Sequence, residues 1–261
     1  MASRATPIAV GLVIVAAIGG GAWYWWKNRE PPYLPPAPQV ETKPQAPTGP
    51  RHPIAAEPAP LPTLNESDTA VRQAGVELVG LDALARFFNI EDLVRRIVAT
   101  VDNLARENVA ARLNPVKPIG GTMATQGKDA TLAIAPQNAA RYTAFVRVVE
   151  HIDAKKAAAA YKHFYPLFQQ AYEELGYPGK YFNDRLVEVI DNLLEAPEID
   201  GPIALTVPHV LYEYRDPELE SRSAGQKALM RMGRANEATV KAKLRELRRE
   251  VVGSAPSQSA R

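Results

Sequence analysis

The chain has 261 residues, a formal net charge of +2 and no cysteine, so disulfides, thiolate metal sites and a cysteine nucleophile are all excluded. Up to Pro62 the bases Arg4, Lys27, Arg29, Lys43 and Arg51 face the acids Glu30, Glu41 and Glu57, which accounts for the whole excess. The remainder is formally neutral, and the net basic field of a general nucleic-acid binder is missing, so no nucleic acid is expected as a partner.

Residues 1–7 form a short N-terminal segment, after which Ile8 to Trp26 carries no charged side chain. At about 1.5 Å per residue this run approaches the ~30 Å of a hydrocarbon core. It ends in Trp23, Tyr24, Trp25 and Trp26, followed by Lys27 and Arg29, which are the rings and cations of a membrane interface. The run therefore reads as a single-pass signal-anchor over 8–26, and the membrane is the first expected partner. Gly19 to Ala22 are small enough for signal cleavage, which is the competing reading. Flanking charges give almost no positive-inside bias. A long domain behind an N-terminal anchor favours an inner-membrane protein with its soluble part in the periplasm.

Residues 27–63 form the tether. From Pro31 to Pro62 there are 12 prolines in 32 residues, so the stretch lacks donors, has fixed φ values and reads as an extended, disordered spacer. Pro32, Pro35 and Pro38 also supply PxxP spacing, a pattern expected by chance in so proline-rich a segment.

The soluble domain runs over 64–252. Ser67 and Asp68 offer caps for a helix over Asp68–Val79, and Leu81–Phe88 follows as a second. Glu91–Arg106 is strongly amphipathic, with Leu93, Val94, Ile97, Val98, Val101 and Leu104 on one face and Arg95, Arg96, Asp102, Asn103 and Arg106 on the other. Asn114–Pro136 is broken by prolines and glycines and suits a small hairpin. Helical spacing returns over Gln137–Ile152, over Asp153–Leu175 and, after Gly176 and Pro178, over Tyr181–Leu194. Ile203–Thr206 with His209–Tyr214 predicts a second hairpin. Helices over Pro217–Met232 and Arg234–Val252 close the domain before a polar, disordered tail at 253–261. The fold class is mostly α: a compact multi-helix domain with one or two β-hairpins, behind a transmembrane helix and a Pro-rich linker.

Two constellations stand out. Asp184, Glu188, Asp191 and Glu195 share one helical stripe, and paired carboxylates could serve an envelope hydrolase; the plainer reading is a solvated face. Tyr165, Tyr172, Tyr177 and Tyr181, with Asn183, Asp184 and Arg185, supply apolar bodies with hydrogen-bonding tips. Together with Arg95, Arg96, Asp102 and Asn103 they form the candidate binding surface, although the tyrosine spacing also fits a core. HExxH, GxSxG, GxxxxGK[ST] and GxGxxG motifs are all absent, so no catalytic residue, metal or cofactor is assigned.

Several stretches resemble one proteobacterial domain family of unknown function, number 3014 (DUF3014). They are Arg95–Leu104, Tyr165-Pro166-Leu167-Phe168-Gln169, Ala171–Pro178, Tyr181–Val187, Ser223–Lys227 and Leu229–Gly233. The similarity spans about Leu64 to Val251 and implies the same architecture of anchor, proline-rich segment and domain. It carries no activity, cofactor or catalytic residue. The expected function is a membrane-tethered envelope module that binds or scaffolds a protein or cell-wall glycan without catalysis; the alternative is the carboxylate hydrolase.

Overall fold

The structure, a computed structural model, describes residues 49–54, 60–107 and 113–252. The anchor expected over 8–26, the first part of the tether and the tail at 253–261 lie outside the described residues. Among the described residues no helix is long and apolar enough to cross a membrane.

Apolar spacing places the main helices. Helix α1 (Asp68–Val79) and α2 (Leu81–Phe87) are followed by α3 (Leu93–Leu104), which buries Leu93, Val94, Val98 and Ala99. The expected cap role of Asp68 is redirected: its carboxylate accepts hydrogen bonds from the backbone N–H of Asp92 (2.8 Å) and Leu93 (3.1 Å). It thus satisfies orphan donors at the start of α3 rather than of its own helix.

The helix expected over Gln137–Ile152 is instead a 3-10 turn, Pro136–Arg141, followed by α4 (Thr143–His151). Asn138 explains the irregular start. It is fully buried, accepts from the backbone N–H of Ala124 at 3.0 Å and donates to the carbonyl of Arg231 at 2.8 Å, so packing demands fix this turn.

The long helix α5 (Ala154–Glu174) begins on Asp153, whose Oδ1 accepts from the N–H groups of Lys155 and Lys156 at 2.9 and 3.0 Å. Helix α6 (Phe182–Leu194) buries Phe182, Val187, Val189, Ile190 and Leu193. These helices enclose the principal core, in which Val94 and Val98 of α3 meet Leu167, Phe168 and Tyr172 of α5 and Phe182 of α6.

Two antiparallel hairpins complete the fold. Strands β1 (Thr125–Gln126) and β2 (Ala133–Ile134) pair with Thr125 opposite Ile134, and β3 (Leu205–Thr206) and β4 (Glu213–Tyr214) pair with Leu205 opposite Tyr214. The hairpins abut through Ile134 N–H to Ile203 O and Leu205 N–H to Leu132 O, over a small core of Ile134, Ile203, Leu205, Tyr214 and Met230. The paired part of the second hairpin is shorter than expected, and 207–212 form an exposed loop.

The helix expected over Pro217–Met232 is split into α7 (Pro217–Glu220) and α8 (Ala224–Arg231). Ser223 caps α8 through Gln226 N–H, and Ala224 N–H turns away to the carbonyl of Arg106 at 2.7 Å. The same junction accounts for Gly225. A Cβ there would sit 2.4 Å from Leu193 Cδ2 and 2.9 Å from Leu104 O, so only glycine lets α8 approach α3 this closely. The final helix, α9 (Arg234–Val252), packs on α4, α5, α6 and α8.

Candidate functional site

A buried aspartate organises the site. Asp102, near the C-terminal end of α3, is 4% exposed although it lies off the apolar stripe of its helix, because α6 packs against α3 and covers it. Burying a carboxylate is costly without partners, and three donors meet it. Arg185 Nε, from the first turn of α6, donates to Oδ1 at 3.0 Å; Arg106 Nη2 and the Tyr177 hydroxyl donate to Oδ2 at 2.7 and 3.1 Å. Arg185 also donates to the carbonyl of Asp102 (2.7 Å) and to Glu188 Oε1 (2.8 Å), so the plane of its guanidinium is fixed. The Arg106 guanidinium donates in turn to the Tyr177 hydroxyl, and the Asp102 charge raises its pKa above the ordinary value.

Aromatic rings form the adjoining wall. Tyr172 and Tyr177 stack with centroids 4.6 Å apart, and Lys180 Nζ lies 5.6 Å from the Tyr177 ring centre. Burial pushes the Tyr172 phenol up to about 12, the Asp102 charge adding to it, so this hydroxyl stays protonated at neutral pH. Together with Tyr181, Asp184 and Glu188 these groups line an open groove of about 630 Å³. Its walls present cations, carboxylates and phenol rings.

Part of the proline-rich segment lies along this groove. The backbone N–H groups of Arg51 and His52 donate to the two carboxylate oxygens of Asp184 at 3.0 and 2.8 Å, and Asn183 Nδ2 donates to His52 O at 2.8 Å. Residues 49–54 are therefore a strap held on the start of α6, where a free tether was expected, and Gly49 and Arg51 border the groove.

The groove brings together Asp102, Tyr172, Tyr177, Tyr181, Asp184 and Arg185 of the candidate surface. It does not include the other five. Arg95 and Arg96 sit in the first turn of α3, at the opposite end from Asp102, where Arg95 reaches Glu174 and Asn65 and Arg96 Nε donates to Glu91 O. Asn103 donates back to Ala99 O of its own helix. Tyr165 is half-buried, donates to Gln169 Oε1 and meets Tyr161 edge-on, so core packing accounts for it. Asn183 is wholly buried and joins Tyr161, His52 and Val251, which makes it a tie between segments rather than a surface group.

Arg106, Lys180 and Arg51 complete the groove but were not among its expected residues. Arg106 was legible as the i+4 partner of Asp102 on a helix. Nothing local marked Arg51, whose place depends on a contact 133 residues along the chain.

The carboxylate stripe shares one face, as its spacing required, and borders a second hollow of about 420 Å³. Three of its four members are already engaged, and Glu195 is exposed. Asp184 holds the strap, Glu188 takes Arg185, and Asp191 accepts from Arg248 Nε and Nη2 at 2.5 and 2.9 Å. That hydrogen bond holds the Asp191 carboxyl below its ordinary range, the opposite of what a general acid needs. Among the described residues no three histidine or carboxylate side chains are arranged to hold a metal ion.

Replacing Asp184 by alanine removes both acceptors of the strap. Charge-assisted bonds of this kind contribute about 1.5–3 kcal/mol, so tryptic cleavage after Arg51 is expected to accelerate at least about tenfold, with global unfolding in urea little changed. Unchanged cleavage would show that the strap is held by other contacts.

A family described as "Protein of unknown function (DUF3014)" matches residues 93–248. The match covers Asp102, Arg106, Tyr177 and Arg185 but not the strap. No curated protein and no solved structure matches the chain.

Proposed function

The chain belongs to the DUF3014 family, which brings no activity with it, and from the geometry of the groove we propose a non-catalytic, membrane-tethered module that binds an extended segment of a protein partner. One observation carries the reading: the domain already holds an extended chain beside the groove by that chain's backbone. Asp184 takes two N–H groups and Asn183 meets a carbonyl, a pattern that recognises polypeptide whatever its side chains. Tyr177, stacked on the buried Tyr172, and Tyr181 offer ring surface for alternate side chains, and Lys180 and Arg106 offer charge. Tyrosines also suit glycans, whose hydroxyls can donate to a carboxylate, but the segment seen at Asp184 and Asn183 is polypeptide held by its backbone, which favours a protein partner over a cell-wall glycan.

In this reading residues 8–26 anchor the chain in the inner membrane, and residues 27–48 are the free length of tether that presents the domain to the periplasm. The uncharged run and its aromatic belt support the placement.

The test is a photo-crosslinking amino acid at Tyr181 in the full-length chain, irradiated in native membranes. A polypeptide adduct that disappears in a Lys180→Glu background is expected, because Lys180 is exposed and changes the groove without entering the core. No polypeptide adduct, or one indifferent to Lys180→Glu, would overturn the proposal.

A further inference from the structure

Among the described residues, large apolar side chains are exposed at only six positions, and four of these belong to one loop: Val207 (44%), Val210 (88%), Leu211 (77%) and Tyr212 (40%). The loop joins β3 to β4 and reads Val-Pro-His-Val-Leu-Tyr, with no Asp, Glu, Lys or Arg. Its base is firmly built. Leu205 and Tyr214 are 1% and 3% exposed, the Tyr214 hydroxyl donates to Lys227 O at 2.9 Å, and Arg215 N–H returns to Ala204 O at 3.0 Å. Arg215 Nη2 donates further to Leu205 O and Asp129 O. A rigid hairpin thus holds an uncharged apolar tip out into solvent, an arrangement that marks a contact surface.

Among the described residues nothing covers this tip. The stretches outside the described residues are the five residues at 55–59, the five at 108–112, the polar tail, and a tether and anchor whose only apolar run is 8–26. A second copy is a poor fit, since a stable interface takes about 800 Å² from each partner and this loop is six residues. A bilayer interface needs no such area. Aliphatic side chains enter the acyl boundary while a tyrosine sits at headgroup level.

We propose that the 207–212 loop is a second membrane contact, which inserts Val210 and Leu211 into the interfacial layer of the bilayer that holds the anchor. Depth is limited to that layer, because the loop lies outside the strand ladder and its backbone donors need water or headgroups; Pro208 has one fewer to satisfy. Reach is sufficient. Residues 27–48 span up to about 70 Å at ~3.1 Å per residue, and a domain of this size is about 40 Å across. The strap therefore leaves enough chain for any face of the domain to meet the membrane. Two-point attachment would fix which way the groove faces. The inference rests on the anchor reading in that the anchor supplies the nearby bilayer.

Absence of native cysteine makes the test direct. Single variants Leu211→Cys, Val13→Cys and Arg245→Cys of the full-length chain are labelled with a polarity-sensitive fluorophore. Each is then reconstituted into phosphatidylethanolamine and phosphatidylglycerol vesicles containing spin-labelled phospholipid. The expected result is blue-shifted, lipid-quenched emission at 211 and at 13, with a label at the exposed Arg245 position unshifted and unquenched. Quenching at 13 but not at 211 would overturn the tip contact and leave the anchor standing. Quenching at 211 without 13 would uphold the tip and overturn the anchor, and quenching at neither overturns both. Equal quenching at 211 and 245 would show unspecific adsorption and overturn the proposal, as would a blue shift at 211 that persists in detergent without lipid quenching, which means a protein cover.

Discussion

Replacement of Asp102 by alanine is expected to lower the unfolding free energy by about 3 kcal/mol, the low end of what truncating a buried ion pair costs. The loss comes mainly from Arg185, whose side chain is 16% exposed and would face the protein interior without its principal acceptor. Arg185 keeps Glu188 and the Asp102 carbonyl, and Arg106 is half exposed and can be rehydrated, which is why the upper end of the range is not reached. For a domain of this size the melting temperature should drop by about 6–12 °C. The double variant Asp102→Leu with Arg185→Met separates stability from binding. Apolar replacement of both partners removes two desolvation costs, so stability should return to near the starting value. Polypeptide capture at the groove should not return, since the charges that fix Tyr177 and Glu188 are gone. Recovery of capture in the double variant would remove the ion pair from the binding site.

Such a pair is invisible to periodicity, which explains what the sequence could and could not deliver. Helices α1 and α9 fall on their expected bounds, the first starting at Asp68 and the last set off by Gly233. The two long-helix expectations that broke did so where a side chain served a tertiary bond. Asn138 reaches Ala124 and Arg231, and Ser223 starts a new helix so that Ala224 can bond to Arg106. The site followed the same rule. Tyr177, Tyr181, Asp184 and Arg185 are neighbours in the chain and were found together. Asp102 was named by its helical face, but its burial is set by packing against α6. The strap depends on Asp184 meeting a segment whose composition marked it only as spacer. Composition describes the cost of ordering such a segment and says nothing of a distant carboxylate able to offset it.

The same logic applies with greater force at Lys241, where methionine is expected to cost about 3–5 kcal/mol at neutral pH. The Lys241 side chain is 3% exposed on α9. Its ammonium donates to Ala196 O at the end of α6 (2.5 Å), pairs with Glu198 Oε1 at 3.2 Å and faces Glu237 Oε1 at 3.1 Å. A cation placed there satisfies a carbonyl just beyond the helix terminus. Glu237 is 1% exposed, and its Oε1 receives no aligned hydrogen bond, so the ion pair is that oxygen's sole compensation. Burial raises the Glu237 pKa above its ordinary value, with Lys241 opposing the rise. A carboxyl that titrates higher in the folded than in the unfolded chain binds its proton more tightly when folded. Its favourable contribution is complete below the ordinary value of 4.5 and is lost as pH rises through the raised value. Removing the opposing cation moves the folded value further up and deepens that loss. Lys241→Met should therefore be tolerated at acidic pH and severely destabilised at neutral pH, as read from urea midpoints at the two conditions. Adding Glu237→Leu removes the unpaired charge, and most of the neutral-pH loss should then be recovered, with the pH dependence abolished. A Lys241→Met variant equally weak at both pH values would show that the lost carbonyl bond, and not the stranded carboxylate, sets the cost.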